Sequence, residues 1–180
     1  MAGRRLPSFL FDYAEYGHAD GAGVARNVSA FDKYQMVSRA LVKCVPPETG
    51  RTIFGKRYAM PFGVSAVGGI GVFRPGAERF LAEVARDFNI PFMLSGVSVE
   101  SIETVARIAP DNVWFQLYAS RDVALTERII CRAGDAGVDV LVVSVDYPIQ
   151  NQSEVPPRSG VTPVGGINWQ KLPAIFSDLA

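Results

Sequence analysis

Val113-Trp114-Phe115-Gln116-Leu117-Tyr118 is a short apolar run broken by one amide and ended by one phenol. Side chains alternate along an extended chain, so Gln116 and Tyr118 share a face. A strand that aims two polar groups at one spot among apolar neighbours invites a functional reading. The surrounding sequence decides what kind of sheet would hold it.

Working outward, the same rhythm recurs on both sides. The spacing predicts strands over 60–67, 90–95, 112–118 and 138–146, with a glycine-rich loop after the first. Amphipathic helices are predicted over 76–88, 98–108 and 121–136. Ser98 stands before a first turn containing Glu100, and Gly134 and Gly137 lie near the end of the third helix, as start and stop signals should. Nearly continuous apolar strands alternating with helices indicate βαβ units and a parallel sheet covered on both faces. Before this block, 7–35 read as two short helices around Gly17-His18-Ala19-Asp20-Gly21. The second of these carries Val24, Val28 and Phe31 on one face. After it, 147–166 is dense in proline and glycine and reads as a loop, with a short helix over 167–179. The expected organisation is an N-terminal helical and irregular segment (1–59), the βα block (60–148) and a closing loop and helix (149–180).

Polar residues gather at the C-terminal ends of these strands: Ser65, Ser95, Gln116 with Tyr118, and Ser144 with Asp146. Parallel α/β folds bind ligands at that edge, where the strand-to-helix loops converge. Two architectures satisfy the pattern, an open doubly wound sheet and part of a (βα)8 barrel. The run Gly68-Gly69-Ile70-Gly71 follows a strand but lacks both the dinucleotide-binding spacing and the Gly-Lys-Ser/Thr of a P-loop. It reads as a loop whose backbone must approach something flat or phosphorylated.

Composition narrows the possibilities further. Eighteen basic residues balance eighteen acidic ones, so no field draws nucleic acid or an anionic membrane to the chain. Cys44 and Cys131 match no metal spacing and no disulfide framework, and Cys131 falls on a helical pattern as ordinary packing. No signal peptide and no run near the ~20 apolar residues of a membrane span is visible. The expected location is cytoplasmic. Peripheral inner-membrane association is not expected, because 161–180 has no strongly apolar or basic face.

The ordered motifs resemble the FMN-dependent α-hydroxy-acid dehydrogenases and oxidases. The resemblance begins at Arg4-Arg5-Leu6-Pro7 and Phe11-Asp12-Tyr13. It continues through Asn27 to Phe31, Phe54-Gly55-Lys56, Met60-Pro61 and Phe73-Arg74-Pro75-Gly76-Ala77. It then runs through 90–95, Gln116-Leu117-Tyr118 with Arg121-Asp122, and Ser144-Val145-Asp146-Tyr147-Pro148. The wording at 73–77 and 95–98 looks most like the mandelate- or lactate-type branch.

The resemblance implies the first four βα units of an FMN-binding (βα)8 TIM barrel, preceded by an N-terminal helical segment and left incomplete. It implies oxidation of a small 2-hydroxy acid, such as lactate or mandelate, to the 2-oxo acid. By residue, Tyr13 and Tyr118 would bind substrate, with Tyr118 and Asp146 as catalytic groups, Asp146 supporting a histidine base. Ser65, Ala66, Val67, Ser95, Gln116 and Ser144 would hold FMN. An amide suits a flavin edge, whose atoms alternate donor and acceptor. A phenol can stabilise developing charge without carrying one, and a carboxylate beside an imidazole fixes its tautomer and raises its pKa.

Departures from the family pattern accompany the match. Ser65-Ala66-Val67 stands where Ala-Pro-Thr is common, Gly96 where a second hydroxyl is common, and Ser144 where threonine is common. The stretch Ser153-Glu154-Val155-Pro156-Pro157-Arg158-Ser159-Gly160 lacks an arginine and an aspartate that relatives carry there. The family's full domain is about twice as long, in keeping with the ~250 residues of a barrel plus extensions. The other half carries strands five to eight, the catalytic histidine, a substrate-binding arginine and the phosphate loops. His18, the one histidine here, lies in the N-terminal turn and is not that base. The resemblance therefore implies the N-terminal portion of such an enzyme, inactive alone. It could be half of a split enzyme completed by a complementing C-terminal half, or a non-catalytic remnant or interaction module that self-associates into a homo-oligomer. The electron acceptor leaves no trace in these residues.

Overall fold

The computed structural model describes residues 4–16, 19–43 and 45–145, with the side chains of Ser8, Phe9, Tyr13 and Tyr16 excepted. The expectations for His18, Asp146, the 147–166 loop and the 167–179 helix lie outside the described residues. The chain divides into two compact units, one holding residues 45–147 and the other 1–44 with 148–180.

The N-terminal unit contains α1 (Ser8–Tyr16) and α2 (Ala22–Ser29), the latter continued by a 3₁₀ turn over Ala30–Lys33. Both helices fall where the periodicity placed them. Val28 and Phe31, expected to form an apolar face, are exposed.

The 45–147 unit opens with an antiparallel hairpin, β1 (Arg51–Ile53) and β2 (Lys56–Tyr58). Its two-residue turn places Phe54 and Gly55 at φ 49° and 79°. Positive φ at both central residues is the turn that matches strand twist, and glycine adopts it without a Cβ clash. This segment was expected to be irregular; the alternation Thr52 to Tyr58 around Phe-Gly is the signal that marks it.

A three-stranded parallel sheet follows, in the order β3 (Phe92–Leu94), β4 (Val113–Leu117), β5 (Leu141–Val143). Between the strands run α4 (Ala77–Phe88, preceded by the single turn α3, Ile70–Phe73), α5 (Ile102–Ile108) and α6 (Val123–Asp135). The strand expected over 60–67 is reduced to a single parallel bridge, Val64 to Phe92, with hydrogen bonds from Val64 N–H to Pro91 and from Met93 N–H to Val64. Pro61 has no N–H to donate, and among the described residues this stretch has a partner on one side only.

The helices gather on one face of the sheet, not on both as expected. Ile90, Phe92 and Leu94 from β3 and its approach, and Val113, Phe115 and Leu117 from β4, share one parity. They form a buried core with Ala82 and Ala85 of α4, Val105 and Ala106 of α5, and Ala133 of α6. Burial of each large side chain of this kind stabilises by about 1.5–3 kcal/mol. The opposite parity, Met93, Trp114, Gln116 and Val142, faces away from the helices. Sequential parallel strands with every helix on one side form a segment of a barrel wall; a doubly wound sheet divides its helices between two faces. The choice left open by the strand pattern is settled by that one-sided core.

Two local expectations change. The helix expected from 98 starts at 102, and its N-cap is Ser101, whose Oγ accepts from Thr104 N–H at 3.2 Å. Ser98 is occupied elsewhere, as described below. Cys131 is exposed on α6, together with Val123 and Ile130, so it is not core packing. β5 lies at the edge of the described sheet, where Leu141 and Val143 are also exposed.

Candidate functional site

The inner face of the sheet carries two chemistries, separated along β4. At the N-terminal end of the strand, Trp114 donates its indole N–H to the Tyr58 hydroxyl at 3.0 Å. The Phe54 and Tyr58 rings meet it edge-on, at centroid distances of 5.4 and 6.2 Å. Such edge-to-face pairs are the favoured geometry of aromatic quadrupoles. The hairpin thus closes the floor of the sheet, and Lys56 fastens it by an ion pair to Asp111 at 3.1 Å.

At the C-terminal end the face turns polar. Gln116 is buried, and its side-chain oxygen accepts from Gly96 N–H at 3.1 Å and from the Ser95 hydroxyl at 3.3 Å. Its amide nitrogen donates to the Ser144 hydroxyl at 2.9 Å. Ser95 Oγ in turn accepts from Val97 N–H at 3.2 Å. The register explains the line: Leu94 pairs with Phe115 and Leu117 with Val143, so Ser95, Gln116 and Ser144 come side by side at the strand ends.

A primary amide has two acceptor lone pairs and two N–H donors. Gln116 uses both acceptor sites and one donor, which leaves one N–H. The rim therefore presents a fixed hydrogen-bond donor, with the half-exposed Tyr118 beyond it on the same face. Donors of this kind fit the acceptor atoms of a flavin edge, so the residues present suit the group the resemblance implies.

Of the nine residues expected in the site, three are joined directly: Ser95, Gln116 and Ser144. Ser65, Ala66 and Val67 lie in the extended segment after Val64, with Ser65 and Val67 exposed. Tyr13 belongs to α1 of the other compact unit, and its side chain and all of Asp146 lie outside the described part. One participant was missed. Glu78, at the start of α4, is buried and takes hydrogen bonds from the loops behind the rim. An acidic residue in a helix's first turn is so ordinary that nothing in the sequence distinguishes this one.

The rim is open. The cavity touching Ser95 holds only about 10 Å³, while the largest surface depression, 680 Å³, lies on α6 at Glu103, Cys131 and Arg132. Among the described residues no group of three His, Cys, Asp or Glu could hold a metal ion, and no helix is long and apolar enough to cross a membrane.

A wall of parallel βα units with a polar rim defines a piece of a (βα) barrel protein. Comparison with known proteins gives the family. The model of the FMN-dependent dehydrogenases matches residues 2–178, and the chain belongs to that family, whose members are FMN-dependent oxidoreductases. It is 34% identical over 175 residues to the L-lactate dehydrogenase of Caulobacter sp. (strain K31), covering 97% of this chain and 46% of that protein. The L-lactate dehydrogenase of Haemophilus influenzae (strain PittEE) is 35% identical over 147 residues, covering 82% of this chain and 39% of the relative. Among solved structures, a mandelate oxidase superposes with a TM-score of 0.74 at 32% identity, covering 84% of this chain and 44% of the other. The monotopic membrane protein (S)-mandelate dehydrogenase does so with a TM-score of 0.74 at 32% identity, covering 83% and 40%. The chain spans less than half the length of the curated relatives it matches.

Proposed function

We propose that this chain supplies the N-terminal half of the active site of an FMN-dependent L-2-hydroxy-acid dehydrogenase and does not turn over substrate by itself. The observation that carries the reading is the Ser95–Gln116–Ser144 line, which holds one unclaimed amide N–H at the ends of three adjacent parallel strands. When bound, FMN supplies the acceptor for the two electrons leaving the substrate carbon. Gln116 and Ser144 orient the flavin edge, and the main chain of 65–68 lies against it. The Tyr118 hydroxyl, with that of Tyr13, holds the substrate carboxylate. Tyr118 also stabilises charge that develops on the substrate oxygen. Asp146 orients the imidazole of a histidine that this chain does not contain, since His18 is its one histidine. General-base removal of the hydroxyl proton is worth ~10²–10⁴ in rate, so its absence leaves the half-site without turnover.

The organisation that goes with this reading is a helical segment before four βα units of an eight-unit barrel, completed by a second polypeptide half. The substrate class is a small 2-hydroxy acid of the lactate or mandelate kind. The exposed edge of β5 favours association with such a half over a free-standing life.

The test is complementation. The 180-residue chain is co-expressed with the C-terminal half of a lactate dehydrogenase relative and purified through a tag on that half. A yellow complex that reduces a dye with L-lactate or (S)-mandelate is expected, while the chain alone gives neither colour nor turnover. A complex that assembles but takes up no FMN overturns the reading.

A further inference from the structure

We propose that Glu78 is a positioning residue that clamps two rim loops together through a single carboxylate oxygen. Glu78 sits in the first turn of α4 and is 1% exposed. Its Oε1 accepts from Gly71 N–H at 3.2 Å, from Val99 N–H at 3.2 Å and from the Ser98 hydroxyl at 3.3 Å. Gly71 belongs to the loop after the first barrel segment, whereas Ser98 and Val99 belong to the loop after β3. One oxygen thus joins the ends of two neighbouring βα units. The other, Oε2, is buried without a hydrogen-bond partner.

The orphan oxygen has a steric reason. A Cβ built on Gly71 would lie 2.8 Å from Oε2, 2.9 Å from Val99 Cβ and 3.1 Å from Val99 Cγ2. The carboxylate and Val99 are packed on the bare Cα of Gly71, so glycine is needed here for space rather than for its backbone angles. Leaving a buried carboxylate oxygen unpaired is costly. The structure tolerates it because the three donors to Oε1 and the positive end of α4 both favour the charge. An adjacent ion pair, Arg79 to Glu100 at 2.8 Å, ties the same two segments from outside.

The clamp lies one step behind the proposed flavin edge. Gly69 N–H donates to Val97 at 3.0 Å, Val97 N–H to Ser95 Oγ, and Ser95 Oγ–H to Gln116. Releasing Glu78 frees the loop ends on which Ser95 and the backbone of 65–68 depend. This extension to FMN rests on the functional reading above; the clamp itself does not.

Amide hydrogen exchange on the intact 180-residue chain decides it, with Met93 and Phe115 amides as core references. Glu78→Met keeps the length of the side chain and removes the acceptor. It should speed exchange at Gly71 and Val99 by about tenfold or more, leaving the references unchanged. Glu78→Gln retains an acceptor oxygen and should restore protection of both. Gly71→Ala should open Val99 from the other side, which keeps the question answerable if the methionine variant does not fold. Unchanged protection of Val99 in Glu78→Met or Gly71→Ala overturns the clamp, as does a glutamine variant as open as the methionine one. In the complemented complex, Glu78→Met should weaken FMN at least tenfold without dispersing the halves, and unaltered FMN affinity removes the link to the cofactor. If the unsubstituted complex takes up no FMN, the functional reading falls while amide exchange still decides the clamp.

Discussion

Trp114 and Gln116 lie two residues apart on one face of one strand, yet the ends of the strand they occupy are opposite in kind. At the floor, the only polar atom of Trp114 is satisfied by Tyr58 and the ring is fenced by aromatic edges. Nothing there is left to bind with. At the rim, every neighbour of Gln116 is a hydroxyl or a backbone N–H, and one amide N–H remains. The floor resembles a core and the rim resembles half of a recognition surface. Binding capacity sits where polar groups exceed what the fold itself consumes, and substitutions at the two ends should therefore fail differently.

The largest effect is expected at the floor. Trp114→Ala removes the ring that the hairpin packs on and strands the Tyr58 hydroxyl. It should cost about 3 kcal/mol, the lower end for an aromatic truncated to alanine, because Trp114 is partly exposed. Urea unfolding of the 180-residue chain measures this as a lowered midpoint. A loss below about 1 kcal/mol would mean that the hairpin is held by Lys56 and Asp111 rather than by the ring.

A smaller loss of stability, with a larger loss of function, is expected at the rim. Gln116→Leu leaves the Gly96 N–H and the hydroxyls of Ser95 and Ser144 without their partner, at about 1–3 kcal/mol. In the complemented complex it should abolish FMN uptake. Its neighbour on the same face supplies the contrast: Tyr118 is 47% exposed, so Tyr118→Phe should shift stability by no more than about 0.5 kcal/mol. If Tyr118→Phe destabilises as much as Gln116→Leu, the phenol is structural and the division between the two residues is wrong.

The sequence pattern exposed the rim more readily than the floor, for a physical reason. Gln116 and Tyr118 are polar residues in an apolar strand, an inconsistency visible without a structure. Trp114 in a strand is what a core requires, so its pairing with Tyr58, 56 residues away, carries no local signature. The strand periods of 92–94, 113–117 and 141–143 were legible because each strand is held to a register by its burial. The segment around Val64 was overestimated because its composition suits a strand while its hydrogen bonds need a neighbour that the described residues do not include. Ser98 and Ser101 are both good caps on paper. Glu78 decides between them by engaging Ser98, a contact spanning 20 residues that no local rule can read.

The smallest effect belongs to a contact outside both ends and serves as their control. Arg132 of α6 meets Glu103 of α5 through two hydrogen bonds, at 2.5 and 2.8 Å. These bonds to the guanidinium lower the Glu103 pKa from the ordinary 4.5 to about 2. A carboxyl with a depressed pKa in the folded state contributes stability that is complete above its unfolded value. That contribution declines as pH falls from about 4.5 and is gone below about 2. Both side chains are about half exposed, so salt should weaken the pair as well. The expected result is a modest gap in thermal midpoint between the unsubstituted chain and Glu103→Gln at pH 6. It should close as the pH is lowered through 4.5 toward 2. The gap produced by Trp114→Ala should stay nearly constant over the same range, because no carboxylate takes part in the aromatic floor. A floor gap that tracked the Glu103 titration would show that the helical outside and the aromatic inside of the wall unfold as one coupled element, and the separate treatment of the strand ends would have to be given up.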